Sequence, residues 1–397
     1  MSFELDLVII GGCGHAGLPL GVAFAESGLS VRLLDVNSSA IESVNQGSPP
    51  FREPGIEGAL RRCIKQGRLA ATDDPGVIAS AETIVVCLAT AIDEHLNPDP
   101  NRFLSTIEGF GDRFVDGQLL VLRSTVFPGV TRMVEERIAR TGKAVDVTFC
   151  PERIAEGNAM TELRELPEVI GGRTPAASAR ADALFRHLTH ETQHVSPEEA
   201  ELAKLFSNSW RYLKFAIANQ LFMIANDFGL DYERIRSAAG YKYPRASDLP
   251  SAGFAAGPCL FKDTMQLAAF NNNNFMLGHS GMLVNEGLPM YLLTRLSQRF
   301  DLAKMTVGIL GMAFKAESDD VRSSLSYKLK RILQVRAAEV LCTDPYVETD
   351  PDLTPLEDVL AGADLLIIAA PHRVYADIVS TAPVVDIWNL RGDGVRV

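Results

Sequence analysis

Gly12-Cys13-Gly14-His15-Ala16-Gly17 is a glycine hexad set between an apolar run, Leu5–Ile10, and an amphipathic stretch. Glycines at those positions permit a tight turn and let backbone approach a pyrophosphate at a helix N-terminus. Asp35 ends the next apolar run, roughly 20 residues on, where a carboxylate hydrogen-bonds ribose hydroxyls and repels a 2′-phosphate. Strand, hexad, helix and acid together point to a dinucleotide, NAD in preference to NADP. A glycine turn made for packing alone leaves Asp35 unexplained.

Far downstream, Ala256-Gly257-Pro258-Cys259-Leu260-Phe261-Lys262-Asp263 places a thiol after pliant backbone and just before a cation and an acid. A nearby cation or helix N-terminus lowers a thiol pKa and makes it a nucleophile. On spacing alone, a small buried hydrophobe is the stronger reading of Cys259. Lys204 and Asn208, at i and i+4, share one helix face and suit an anionic or carbonyl oxygen, or equally a solvated face. Pro151-Glu152-Arg153-Ile154-Ala155-Glu156-Gly157 puts two carboxylates where the end of a parallel strand meets a binding crevice. They suit water activation, or an ordinary loop. His187, His190 and His194 have helix-like spacing, but no cysteine or HExxH pattern accompanies them, and no metal is expected. Asn271–Asn274 reads as a loop.

These groups need a scaffold. Leu5–Ile10, Ser30–Leu34, Thr83–Leu88, Leu119–Leu122 and Asp146–Cys150 read as strands, with helical patterns such as Pro19–Glu26 and Ala40–Gln46 between them. That alternation argues an α/β fold: a parallel sheet with helices on both faces. Ser196-Pro197-Glu198-Glu199 is a helix start, with Ser196 as N-cap, Pro197 at the first position and Glu199 closing a capping box. Apolar residues recur from Leu202 to Ile224, so one helix of roughly 30 residues spans about 45 Å. It reads as a connector and a dimer face. Thr306–Leu310, Val340–Thr343, Asp364–Ala369 and Pro383–Ile387 return to strands and form a second, smaller α/β domain. The expected division is 1–195, 196–300 and 301–397.

The chain has 397 residues, 47% hydrophobic and 22% charged, the balance of an ordinary globular protein. Thirty-eight basic against fifty acidic residues give a net charge of −12. That is a poor partner for nucleic acid or an anionic membrane. No apolar window is long enough for a membrane span. The N-terminus reads as a strand with no basic leader, so no signal peptide is expected. Six scattered cysteines with no CxxC pair fit a reducing cytoplasm.

Taken in order along nearly the whole chain, these motifs resemble the UDP-glucose/GDP-mannose dehydrogenase family, the NAD-dependent nucleotide-sugar 6-dehydrogenases. The likeness runs through Gly12–Gly17 with Leu18-Pro19-Leu20, Asp35, Glu53-Pro54-Gly55, Ser124-Thr125-Val126 with Pro128-Gly129, and Pro151-Glu152-Arg153. It continues through Lys204 with Asn208, the Cys259 loop with Lys262-Asp263, and Gly311-Met312-Ala313-Phe314-Lys315 with Asp319-Asp320-Val321-Arg322. Asp344-Pro345 and Asp364 with Ala370-Pro371-His372 complete it. The resemblance implies an NAD domain over 1–195, a central helical dimerisation domain over 196–300 carrying the cysteine, and a UDP-sugar-binding domain over 301–397. It implies a four-electron oxidation of the sugar C6 alcohol to a carboxylate with two NAD+, the uronate serving polysaccharide biosynthesis.

By the same resemblance, Cys259 captures the C6 aldehyde as a thiohemiacetal, and a second hydride transfer leaves a thioester that water hydrolyses. Lys204 and Asn208 stabilise the oxyanion, Asp263 is a general base through water, Glu152 positions the hydrolytic water, and Thr125 holds a water or hydroxyl near C6. Gly12, Gly14, His15, Ala16, Gly17, Asp35, Thr90, Ser124, Glu156 and Arg322 are implied to hold the cofactor. Arg245, Gly257 and Lys315 are implied to bind substrate, Arg245 across a homodimer formed through 196–227.

The chain departs from the family pattern at three places. Ala256-Gly257-Pro258 stands before Cys259 where two glycines are usual, Thr90-Ala91 replaces Thr-Pro, and Arg123 replaces Glu before Ser124-Thr125. Tyr243-Pro244-Arg245 and Asn285-Glu286-Gly287-Leu288-Pro289 look like the UDP-N-acetylhexosamine branch, whereas Lys262-Asp263-Thr264 looks like the UDP-glucose branch. The balance leans to an N-acetylhexosamine, with gluco and manno configurations both open. A two-electron hydroxyacid dehydrogenase needs neither the cysteine nor a second α/β domain. A non-catalytic nucleotide-sugar binder is favoured only by the altered loop before Cys259.

Overall fold

Alternate residues of the early strands are apolar toward both sides. Leu7, Ile9, Leu33, Val85 and Val121 fill one core, while Val8, Ile10, Ile84, Val86, Leu120 and Leu122 fill another. A sheet buried on both faces needs helices on both, the usual setting of parallel strands. The computed structural model describes residues 3–90, 99–254, 257–394 and 397, which fall into two compact units, Met1–Ser207 and Asn208–Val397.

The first unit holds an eight-stranded sheet in the order β3 (Leu69–Thr72), β2 (Val31–Leu34), β1 (Leu5–Ile10), β4 (Ala81–Val86), β5 (Leu119–Leu122), β6 (Asp146–Phe149), β7 (Glu168–Gly172) and β8 (Thr192–Val195). Pairing is parallel except between β6 and β7. Ile10 lies opposite both Leu34 and Val86, so β1, β2 and β4 end together where the strand order reverses. That reversal is the crevice where such sheets bind ligands. Its helices are α1 (Gly17–Glu26), α2 (Ser38–Asn45), α3 (Ile56–Lys65), α4 (Pro100–Gly109), α5 (Val130–Arg140), α6 (Ala159–Glu165) and α7 (Pro175–Phe185).

α8 (Pro197–Asp227) is one 31-residue helix that begins in the first unit and ends in the second. Its start is the capping box read from the sequence: the Ser196 amide donates to Glu199 at 2.8 Å and the Glu199 amide donates to Ser196 Oγ at 3.4 Å. Within the first unit, buried Glu201 accepts from the Gly129 and Thr131 amides at 2.6 and 2.7 Å and from the Thr131 hydroxyl at 2.6 Å. A carboxylate thus satisfies the open amides at the start of α5. Gly129 adopts φ +100, so the Pro128-Gly129 motif shapes this junction.

The second unit continues with α9 (Tyr232–Gly240), α10 (Pro258–Phe270) and α11 (Met276–Arg299). A four-stranded parallel sheet follows in the order β10 (Glu339–Thr343), β9 (Thr306–Leu310), β11 (Leu365–Ile368), β12 (Val384–Asp386), with α12 (Leu325–Leu333) and α13 (Leu356–Gly362). Asn272 and Asn273, just past α10, take φ +51 and +58, so the asparagine run is a loop.

Three strands went unread in the sequence: β3, β7 and β8. The antiparallel β6–β7 pair likewise makes the large sheet mixed instead of wholly parallel. The helix-like histidine spacing does not form a helix. α7 stops at Phe185, His187 lies in the turn that follows, and His194 is on β8, 3.0 Å from Asp182. No helix among the described residues is long and apolar enough to cross a membrane.

Candidate active site

In the first unit the glycine loop leaves no room for side chains at two positions. A Cβ on Gly17 would stand 2.3 Å from the Gly11 carbonyl, and one on Gly12 would stand 2.7 Å from Leu33 Cβ. Gly14 is exposed. α1 has neither a side-chain cap nor an acid in its first turn, so its positive end is left to a ligand's anion. Asp35 accepts from the Cys13 amide at 3.0 Å and, through its other oxygen, from the amides of Val36 and Asn37 at 2.8 and 3.1 Å. A carboxylate has about four lone-pair positions, so room remains for ribose hydroxyls. The crowded hexad, the open helix end and Asp35 fit an adenine dinucleotide. His15 stacks on Phe51 with centroids 4.1 Å apart and lies 4.0 Å from Glu156. The Glu156 loop is tied back by Glu53, which accepts from the amides of Gly157 and Ala159 at 2.6 and 2.9 Å. The Glu53-Pro54-Gly55 motif is therefore a brace.

At the carboxyl ends of β5 and β6 stand Ser124, Thr125 and Glu152. Ser124 is buried and donates to the Val86 carbonyl at 3.3 Å, Thr125 is half-buried, and Thr90, four residues past β4, is half-buried too. Glu152 receives the amides of Arg153 and Ile154 on one oxygen, at 2.7 and 2.9 Å, and Arg123 Nε on the other at 2.7 Å. Burial opposes its ionisation, yet Arg123, the Ile154 amide and Lys204 together hold it below the usual carboxylate range. Lys204 is buried on α8 and faces Glu152 electrostatically. The Arg123 guanidinium also donates to Glu168 at 3.1 Å. Burial pushes the Cys13 and Cys87 thiols up to about 12, so neither is a nucleophile near neutral pH.

Cys259, in the second unit, is the exposed exception to the buried-hydrophobe reading. It occupies the first turn of α10, whose cap, Gly257, has φ +106. A Cβ there would meet the Phe314 ring at 2.8 Å, so the cysteine loop packs against the Gly311–Lys315 loop. Asp263 lies one turn beyond Cys259, on the same helix face. Asp263 is buried, accepts from the Asn208 amide at 2.5 Å and has the Lys262 ammonium at 3.6 Å. Upstream, the Asn219 amide donates to Gly253 O at 3.0 Å and to Asn285 at 2.9 Å, and the Gly253 amide returns to Asn219 at 2.9 Å. Nothing in the spacing of Asn219 and Asn285 announces this buried network. Asn285 belongs to it, so that part of the Asn285–Pro289 motif packs and does not face substrate. Ala256 and Ala91, two of the departures, lie outside the described residues.

Arg245 is exposed, its guanidinium 5.7 Å from the Tyr243 ring centroid. Lys315 is half-buried, and exposed Arg322 pairs with Asp320, its Nε 2.9 Å from both carboxylate oxygens. Asp344 ends β10 as Asp35 ends β2. It accepts from the amides of Met312 and Ala313 at 2.7 and 2.9 Å and lies 3.1 Å from His372 Nε2. His372 Nδ1 accepts from the Glu317 amide at 2.9 Å, so its Nε2 carries the proton given to Asp344. The Asp344-Pro345 and Ala370-Pro371-His372 motifs thus lock the loop that carries Lys315.

Residues 6–189, 198–285 and 308–392 match in turn the NAD binding domain, the central domain and the UDP binding domain of the UDP-glucose/GDP-mannose dehydrogenase family. A UDP-N-acetyl-D-mannosamine dehydrogenase of Yersinia pestis is 30% identical over 95% of this chain and 96% of its own. The solved structure of a UDP-glucose dehydrogenase from the hyperthermophilic archaeon Pyrobaculum islandicum is 27% identical, with a TM-score of 0.91 over 99% of this chain and 96% of its own. That of a UDP-D-ManNAc dehydrogenase from Pyrococcus horikoshii is 26% identical, with a TM-score of 0.89 over 97% and 96%.

Proposed function

The chain belongs to the UDP-glucose/GDP-mannose dehydrogenase family and is an NAD-dependent nucleotide-sugar dehydrogenase; we propose that it takes a UDP-sugar through a four-electron oxidation, from the C6 alcohol to the uronate. The observation that carries this is Cys259: exposed, in the first turn of α10, with Asp263 one turn on and tied to Asn208. NAD+, when bound at the hexad, accepts the hydride that leaves C6. The Cys259 thiolate adds to the C6 aldehyde, forming a C–S bond and a tetrahedral alkoxide held by Lys204 and Asn208. Loss of a second hydride from that carbon leaves a thioester. Water adds to the thioester carbon and the C–S electron pair returns to sulfur. The products are the uronate carboxylate, the Cys259 thiol and one proton. Glu152 holds the hydrolytic water, Asp263 relays protons through water, and Thr125 holds a water or hydroxyl near C6. Gly12, Gly14, His15, Ala16, Gly17, Asp35, Thr90, Ser124, Glu156 and Arg322 serve the cofactor, and Arg245, Gly257 and Lys315 the substrate.

The sugar is a UDP-N-acetylhexosamine in this reading, supported by Tyr243-Pro244-Arg245 and by the Yersinia and Pyrococcus relatives. UDP-glucose is the second reading, supported by Lys262-Asp263-Thr264 and the Pyrobaculum structure. NADH yield per sugar tests both, with UDP-glucose, UDP-galactose, UDP-N-acetylglucosamine and UDP-N-acetylmannosamine. Two NADH from one member supports the cysteine route and names the sugar. One NADH means that aldehyde is released and removes Cys259 from the mechanism. None from any member rejects this substrate set.

The division at 195/196 and 300/301 is supported by the three family matches, which fall one within each part. α8 is the dimer face: Phe206, Trp210, Ile217, Leu221, Ile224 and Phe228 at its end form a stripe, each between 39% and 78% exposed. In this reading the enzyme is cytoplasmic, which its scattered cysteines and nucleotide-sugar substrate support.

A further inference from the structure

Arg123, one of the departures from the family pattern, stands one residue past β5 and is 3% exposed. Its guanidinium donates to Glu152 at 2.7 Å, to the Cys150 carbonyl at 3.2 Å and to Glu168 at 3.1 Å, and it lies over the Phe185 ring at 5.0 Å. The Glu152 amide reaches back to the Arg123 carbonyl at 3.4 Å. Three segments distant in sequence, the ends of β5 and β6 and the start of β7, are thus pinned through one cation. The two carboxylates are not equivalent. Glu152 has donors on both oxygens, whereas Glu168 has one oxygen, Oε1, that is buried without a hydrogen-bond partner. Two buried carboxylates sharing one guanidinium do not ionise equally. Glu152, with the fuller set of donors, takes the charge. Burial leaves Glu168 the readier to protonate, its carboxyl held above the usual range. The other titratable groups facing the pair are Arg153, Lys204 and the thiols of Cys87 and Cys150.

We propose that Arg123 is a positioning residue for the hydrolytic step: it holds Glu152 as a carboxylate in one orientation, so that a lone pair left open by its three donors faces the attacking water, with Glu168 as the second anchor that keeps Arg123 in place. This deepens the proposed function and rests on its assignment of Glu152 to the water. Hydride loss does not depend on Glu152, so the two halves of the reaction respond differently when the clamp is removed.

The test is Arg123→Met in the full-length enzyme, with single-turnover NADH kinetics and intact-protein mass. The expected result is a first turnover that still releases two NADH. Thereafter hydrolysis slows about 100-fold, the scale of a mispositioned reacting group, and a sugar thioester accumulates on Cys259. Equal slowing of both halves without an adduct, or unchanged hydrolysis, would overturn the proposal. If Arg123→Met does not fold, Arg123→Lys keeps a cation but cannot span Glu152 and Glu168 together. It is expected to accumulate the same adduct, and its absence counts against the clamp. If the wild type oxidises no sugar of the panel, the functional reading fails separately, and infrared difference spectra against Glu152→Gln decide the clamp. At mildly acidic pH the Glu152 band is expected to stay ionised with Arg123 and to become protonated in Arg123→Met. The same ionisation in both would overturn it.

Discussion

The side-chain amide of Asn208 donates to the Asp263 carboxylate at 2.5 Å, tying α8 to the helix that carries Cys259. Asp263 is 1% exposed, so this bond also orients a buried charge. Asn208→Ala removes a donor to a charged acceptor and is expected to cost about 1.5–3 kcal/mol in urea unfolding. As an oxyanion donor, Asn208 is also expected to cost about 100-fold in turnover. Adding Asp263→Ala should recover stability without recovering turnover. An Asn208→Ala variant that loses stability but keeps full turnover would show Asn208 to be structural only.

Cys259→Ser is expected to abolish thioester turnover while leaving NAD affinity unchanged by calorimetry. The hexad sits in the first unit and Cys259 in the second, so the two readouts are separable. A folded variant that has lost NAD affinity would count against the assignment.

Trp210→Glu with Ile217→Glu puts two charges into the exposed stripe of α8, where these side chains are 57% and 49% exposed. Sedimentation at micromolar concentration is expected to give a dimer for the wild type and a monomer for the variant. A monomeric wild type would sink the proposed interface.

Asp344 provides a pH test. Burial alone would raise its pKa, but His372 and the Ala313 and Tyr346 amides hold it below the usual carboxylate range. As pH falls, the unfolded chain takes up this proton first. The stabilisation is therefore complete above the unfolded value, about 4, and is lost as pH drops toward the folded one. Asp344→Asn should be less stable at neutral pH and show a flatter acid limb of the urea midpoint. Parallel curves for wild type and variant would refute it.

Much of the scaffold was legible because its signals are local. The hexad, Asp35 and the Ser196–Glu199 capping box each use residues close in sequence with few alternative readings. β3, Leu-Ala-Ala-Thr, escaped because alanine carries no strand preference, and β8, Thr-Gln-His-Val, because an edge strand need not be apolar. The histidine spacing misled because the chain turns after α7. The ordered motifs marked the site but not their duties. Glu53 and Asp344 accept backbone amides that loops elsewhere in the chain present, and Arg123 unites acids that lie on two later segments. Such pairings exist only once the sheet has formed.

Two glycines before the cysteine sit beneath aromatic rings from later in the chain. A Cβ on Gly253 would stand 2.4 Å from the Trp388 ring, and one on Gly257 would stand 2.8 Å from Phe314. The cysteine loop is therefore moulded on residues more than fifty positions downstream. An engineer who exchanged the C-terminal sheet for that of a relative, hoping to graft a new sugar preference, would recast the nucleophile's own bed in the same cut. A working chimera has to carry both glycines together with both rings.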